Sequence, residues 1–299
     1  MTIKLGVIGL SEGNGHPYSW SAICNGYSIE CMGACEFPVI PQYLAKQSWP
    51  DARIPDVAVT HIWTQDDELS ARVARASLIP HIVQTPSAML GQIDALLLAR
   101  DDAESHLAFA APFLEAGVPV YIDKPVALTL DGLHELYARQ QYEGQIFTCS
   151  ALRYAKELTL NKADLERIGP IRHIQANTPS SWEKYAVHLI EPALQLMGEP
   201  KQIMHAQARS IARTGRGVTV SFEGGITVDF SALGNNVASP LSIRVHGARG
   251  WHDLVFVDSF SAFRAALVEF IEGIRTGTCR SPLSFNQQVV AIIESGLLK

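Results

Sequence analysis

Along the chain, apolar positions fall into two regimes that change near residue 125. Before it, short continuous apolar runs alternate with stretches of helical spacing. The run 3–9 (IKLGVIG) ends in glycine, crosses a polar, glycine-rich stretch 10–16 (LSEGNGH), and meets Pro17 at the head of a helical pattern over 18–27. Proline suits a first helical turn, where its missing N–H leaves nothing unpaired. The run 57–63 (VAVTHIW) has the β-branched and aromatic composition of a strand and leads into a helical pattern over 67–77. There follow a short strand over 79–83, an apolar strand over 93–98 (IDALLL), a helix over 106–116 stopped by Gly117, and a strand over 118–122.

Beyond residue 125 a helix over 130–141 is followed by a strand over 145–152 and by runs with antiparallel character at 171–177, 201–212, 218–223, 226–232 and 241–246. Gly224-Gly225 between two of them is a hairpin signal. Leu267, Phe270, Ile271 and Ile274 share one face of a helix over 264–275, and a last helix covers 286–296. The expected architecture is α/β. An N-terminal Rossmann dinucleotide-binding domain covers 1–125, and a C-terminal α+β domain with a largely antiparallel open sheet covers 126–299.

Strand, glycine loop and helix form the opening unit of a dinucleotide-binding fold. Here the glycines fall at 9, 13 and 15, so the loop is longer than G-x-G-x-x-G. Glycine permits positive φ and close backbone approach to a pyrophosphate at a helix N-terminus. Gly9, Ser11, Gly13, Asn14, Gly15 and His16 are therefore candidate cofactor contacts. Pro38, Pro41, Pro50 and Pro55 interrupt 28–56, which reads as an inserted covering segment. With the second strand at 57–63, the cofactor's ribose falls near Thr64, Gln65 and Asp66; Glu36, after a strand at 30–36, is the second choice. Ligands of such sheets bind outside the carboxyl ends of the strands. Two more polar clusters occupy such ends, Asp101-Asp102 and Asp123-Lys124-Pro125.

The segment 93–127 (IDALLLARDDAESHLAFAAPFLEAGVPVYIDKPVA) resembles the strand, His-bearing helix, strand and Glu-Lys-Pro signature of the glucose–fructose oxidoreductase/inositol dehydrogenase (Gfo/Idh/MocA) family. Further matches are Arg153-Tyr154 with Ile168-Gly169-Pro170-Ile171, the stretch 184–191 running on to Leu196-Met197-Gly198, and 263–277 with the final helix. The resemblance implies an NAD- or NADP-dependent oxidoreductase acting on a secondary alcohol of a sugar, sugar derivative or polyol. It maps the family's catalytic lysine onto Lys124 and its catalytic histidine onto His188. Alcohol oxidation removes a hydride from carbon and a proton from oxygen; a neutral imidazole suits the proton, and an ammonium steadies the developing alkoxide. The resemblance also implies a homo-oligomer joined through the C-terminal sheet. The chain departs from the family pattern in its glycine loop, in Asp101-Asp102 where Thr-Pro is usual, and in Lys184 where an Asp is common.

Lys184, His188, Glu191 and Gln195 share one helix face, and Pro192, lacking an N–H for the His188 carbonyl, is expected to kink or restart that helix. Lys184, Trp182, Tyr185, Glu191 and Arg153 are candidate substrate contacts, with Lys184 hinting at an anionic group. The acidic run 66–68, with no arginine before Arg72, leans toward NAD over NADP. His106 reads as structural.

Thirty acidic against 24 basic residues give a net charge of −6, which disfavours a nucleic-acid surface. No apolar run is long enough for a membrane span, and the N-terminus lacks a signal-peptide layout, so the expected location is cytoplasmic. Five cysteines form no disulfide framework, and no metal-ligand spacing stands out. The altered loop and Lys184 motivate the alternative, a non-catalytic nucleotide- or sugar-binding regulatory protein on the same fold.

Overall fold

The computed structural model describes residues 2–198, 201–235 and 237–297. The chain divides into two compact units. The first joins everything up to Val126 with His134–Thr148 and Leu267–Pro282; the second joins Ala127–Leu133, Cys149–Ala266 and the stretch from Leu283 onward.

The first unit is built on six parallel strands: β1 (Ile3–Ile8), β2 (Val57–Trp63), β3 (His81–Ile82), β4 (Ala95–Leu98), β5 (Val120–Ile122) and β6 (Ile146–Thr148). Their spatial order is β3-β2-β1-β4-β5-β6, which reverses direction between β1 and β4. Such a switch point opens a crevice at the strand ends. β4 is buried along its whole length, as its unbroken apolar run requires. The helices are α1 (His16–Asn25), α2 (Ile29–Gly33), α3 (Val39–Leu44), α4 (Asp67–Ala76), α5 (His106–Glu115) and α6 (Leu130–Tyr137), the last with residues in both units. Asn25 ties the end of α1 to β2, donating to the Val59 carbonyl at 2.8 Å and accepting from its amide at 2.9 Å. Asp66 caps α4 by accepting from the Leu69 amide, with Asp67 and Glu68 in the first turn where the helix dipole favours acids.

The stretch 28–56 folds into α2 and α3 and buries Met32, Ile40, Leu44 and Ile54. A Cβ added to Gly15 would lie 2.6 Å from Ile40 Cδ1 and 2.8 Å from Phe37 Cγ. This stretch therefore packs directly on the start of α1, and only glycine fits beneath it. The alternative strand over 30–36 is replaced by α2.

The second unit holds the helices α7 (Lys162–Ile168), α8 (Trp182–Tyr185) and α9 (Val187–Leu196) and the strands β7 (Ile171–Thr178), β8 (Ile203–Ile211), β9 (Gly215–Phe222), β10 (Thr227–Ala232), β11 (Ser242–Gly247) and β12 (Trp251–Val255). The sheet order is β12-β11-β7-β10-β9-β8, antiparallel except for the β10–β7 pair. Gly224 and Gly225 turn the β9–β10 hairpin with φ of +83° and +80°, a conformation that favours glycine at both positions. One sheet face is apolar and buried through Ile174, Ala176, Val218, Val220, Val228, Phe230, Ile243 and Val245. The other carries polar side chains, among them Arg244 paired with Asp253 at 2.6 and 2.8 Å. Two C-terminal helices complete the chain: α10 (Ser259–Thr276), which has residues in both units, and α11 (Leu283–Ser295) in the second.

Three expectations change. The strand over 145–152 stops at Thr148, because Ser150 caps a 3-10 turn, Ala151–Tyr154. The helix bearing His188 breaks at Ala186, between α8 and α9, while Pro192 sits inside α9. β12 was missed: it is a five-residue edge strand whose residues, apart from Leu254, remain partly or fully exposed.

Candidate active site

In the first unit, polar residues from the glycine loop and from two strand ends form one network. Ser11 Oγ donates to Asp101 Oδ1 at 2.6 Å and accepts from the Asp101 amide at 2.9 Å. Asn14 Nδ2 donates to Asp123 Oδ2 at 2.8 Å, and His16 Nδ1 lies 2.5 Å from the same oxygen. Lys124 donates its own amide to Asp123 Oδ1, and its Nζ stands 3.7 Å from Asp101 Oδ2. The sequence scatters these six residues over more than 110 positions; the ends of β1, β4 and β5 bring them together. The His16 ring stacks on Trp20 at 4.8 Å, and Trp20 stacks on Tyr121 of β5 at 4.6 Å.

Asp123 is fully buried. Burial pushes its carboxyl up, but His16, Lys124 and the Asn14 hydrogen bond outweigh that and pull it down to about 2. A folded-state value below the usual one near 4 means that the unfolded chain binds more protons between them. The carboxylate therefore contributes about 2 kcal/mol above that range, and the contribution is lost as pH falls toward 2. Asp123→Asn is expected to be less stable than the parent by about this amount at pH 7. Urea titrations across pH should show the gap closing in acid; a gap independent of pH would refute the charged-pair account.

The other strand-end residues serve the loop or the local turns. Gln65 pairs with both backbone groups of Leu10, accepting from its amide at 3.0 Å and donating to its carbonyl at 2.8 Å. Thr64 is buried, its amide on Ser70 Oγ and its hydroxyl on the Asp66 carbonyl. Asp66 is the α4 cap described above. Asp102 is held by Arg100 through a two-point contact at 2.9 and 2.8 Å. Sequence reasoning passed over Arg100, whose Nη1 also reaches the Leu10 carbonyl at 3.4 Å. His106 is buried, with its ring nitrogens 3.0 and 2.8 Å from the Val126 and Arg100 carbonyls, a structural placement.

The glycines set how closely the loop runs to the start of α1. A Cβ on Gly9 would run into Pro17, so the chain passes close over the helix start. Gly13 has φ of +79° and open space around it, leaving its backbone approachable. Asn14 Oδ1 takes the His16 amide at 2.9 Å, so that helix-terminal donor is satisfied from within the loop.

In the second unit, His188 and Glu191 project from α9 to one residue, Ser150. Ser150 Oγ lies 2.7 Å from His188 Nδ1, and the Ser150 amide donates to Glu191 Oε2 at 2.9 Å. Arg153 Nε donates to the same Glu191 oxygen at 2.8 Å, and its guanidinium sits 4.2 Å above the Phe285 ring. Glu191 and Arg153 are 2% and 6% exposed, so both lie in the interior rather than on a cleft wall. Burial pushes the Glu191 carboxyl up against the pull of Arg153. Trp182 is 1% exposed and donates its indole N–H to the Ile293 carbonyl, a core position. Tyr185 is 39% exposed and stands edge-on to the His188 ring at 5.5 Å. Lys184 is half-buried on α8. Ser150 escaped sequence reasoning because the alternating run 145–152 made it one more strand position.

Among the described residues no helix is long and apolar enough to cross a membrane. No curated protein matches the chain in sequence. Solved structures match it in fold over nearly its whole length. The myo-inositol 2-dehydrogenase of Lactobacillus plantarum superposes with a TM-score of 0.70 at 13% identity, covering 98% of this chain and 96% of that one. The UDP-N-acetylglucosamine 3-dehydrogenase GnnA of Acidithiobacillus ferrooxidans gives 0.68 at 14%, covering 98% and 96%. GenD2 from gentamicin A biosynthesis, solved in complex with NAD, gives 0.71 at 14%, covering 99% and 93%. Residues 39–150 match the sequence model named GFO_IDH_MocA, described as an oxidoreductase family with an NAD-binding Rossmann fold. This segment, which contains β2 to β6 and the Asp123-Lys124-Pro125 signature, is where the chain is similar to that family.

Proposed function

We propose that the protein is an NAD-dependent dehydrogenase or reductase acting on a secondary alcohol of a sugar, sugar derivative or polyol. The observation that carries this reading is Lys124, a nearly buried ammonium held at the end of β5 and linked to the glycine loop through Asp101–Ser11 and through Asp123. Gly9, Ser11, Gly13, Asn14, Gly15 and His16 would hold the cofactor's pyrophosphate side. Thr64, Gln65, Asp66, Asp101 and Asp102 would flank its ribose, and Asp123, Lys124 and Pro125 its reactive end. When bound, the nicotinamide supplies or accepts the hydride. Lys124 stabilises negative charge on the substrate oxygen, and His188 takes that oxygen's proton or returns it. Tyr185 and Lys184, on the helix just before His188, contact the substrate. Arg72, near Glu36 and Asp66, already has acidic neighbours, which supports NAD over NADP. The polar outer face of the second sheet is proposed to join copies of the chain.

Thermal-shift titration with NAD, NADP and their reduced forms tests the reading. At a hundred times Kd a ligand adds about 2.7 kcal/mol, a rise of several degrees in Tm. NAD or NADH is expected to give the largest shift, and hydride transfer should follow in a panel of sugars and polyols. No shift with any of the four refutes cofactor binding; binding without turnover across the panel favours the regulatory alternative.

A further inference from the structure

We propose that Ser150 is the positioning residue for His188: its hydroxyl accepts a hydrogen bond from Nδ1–H and so dedicates Nε2 to proton exchange with the substrate. This rests on the reading of His188 as the acid–base group.

The geometry is specific. Ser150 is fully buried, and its Oγ lies 2.7 Å from His188 Nδ1. The serine cannot drift, because α9 grips it twice. Three residues after His188, Glu191 takes the Ser150 amide at 2.9 Å, and Arg153 fixes that carboxylate in turn at 2.8 Å. Ser150 Oγ also accepts from the Leu152 amide at 3.2 Å. A hydroxyl has two lone pairs, which take the Leu152 N–H and the imidazole N–H together, and its own O–H then faces no acceptor among the described residues.

The proton balance selects the direction of this hydrogen bond. During alcohol oxidation Nε2 must begin with a lone pair, so the neutral ring must carry its proton on Nδ1. After accepting the substrate proton the ring is an imidazolium, again with Nδ1–H. Ser150 thus accepts in both states, and the ring need not turn during the cycle. A carboxylate in this place would favour the imidazolium and raise the histidine's pKa. A neutral hydroxyl orients the ring without that bias. Lys184, four residues before His188, cannot substitute, since an ammonium only donates.

The test compares Ser150→Ala and Ser150→Thr with the parent enzyme, following kcat, the pH profile of kcat/KM and the 15N spectrum of His188. Ser150→Ala is expected to lose about tenfold or more in kcat, the worth of one hydrogen bond, with KM little changed. Its neutral His188 should shift from the Nδ1–H tautomer toward Nε2–H. Ser150→Thr keeps the hydroxyl and should recover most of the rate and the parent tautomer. An unchanged tautomer and rate in a folded Ser150→Ala overturns the proposal, as does an Nε2–H tautomer in the parent. His188→Ala separates the two ideas. If it keeps full turnover, the acid–base reading falls and this inference with it. If it is inactive while Ser150→Ala is normal, only the inference falls.

Discussion

Turnover is expected to fall by about 10²–10⁴-fold in His188→Ala, the usual worth of general acid–base catalysis, with nucleotide binding intact. The loss should fall mainly on kcat, because proton transfer is made only on the way to the transition state. Lys124→Ala is expected to lose about 10²–10³-fold for a different reason. Lys124 as a residue is 7% exposed, in surroundings where one charge acts strongly on a developing alkoxide. Its removal also strips a counter-charge from Asp101 and Asp123, so a lower Tm and weaker nucleotide affinity should accompany the lost rate. The contrast between a clean kcat effect at His188 and a mixed effect at Lys124 follows from their surroundings. Steady-state kinetics with thermal melts of both variants distinguishes them; full turnover in either refutes its assigned role.

Those surroundings also explain what the sequence could and could not show. The parallel sheet was legible because buried strands such as 95–98 must be apolar throughout, and 57–63 is dense in residues that fit a pleat. The strand-end rule points equally to 64–66, 101–102 and 123–125; Asp101, Asp123 and Lys124 share one network, while Gln65 holds the loop and Asp66 caps α4. What stayed hidden were the partners supplied by distant chain. Gln65 bridges 55 residues to act as a backbone mimic for Leu10, and nothing in local spacing marks it. Helical spacing puts Lys184, His188, Glu191 and Gln195 on one face. The break at Ala186 assigns Lys184 to α8, and Glu191 faces a buried arginine. A polar stripe reports which residues share a face, not whether water or an ion pair lies opposite.

That buried pair sets the largest stability effect in the second unit. Glu191→Ala leaves the Arg153 guanidinium in the interior without its counter-ion. Arg153 has little slack to absorb this: its Nη2 is already buried with no hydrogen-bond partner among the described residues. Stripping one partner from a buried pair costs about 3–5 kcal/mol, and here the Ser150 amide loses its acceptor as well. Tm should drop by roughly 10 °C. Replacing both charges together, as Glu191→Leu with Arg153→Met, removes the orphaned ion and should restore much of the lost stability. It cannot restore the carboxylate that holds the Ser150 backbone, so turnover should remain low after the melting temperature recovers. Differential scanning calorimetry and kcat measured on the single and double variants separate these outcomes. Recovery of both quantities would reduce the pair to packing, whereas recovery of stability alone ties Arg153 and Glu191, through Ser150, to the aim of the His188 ring.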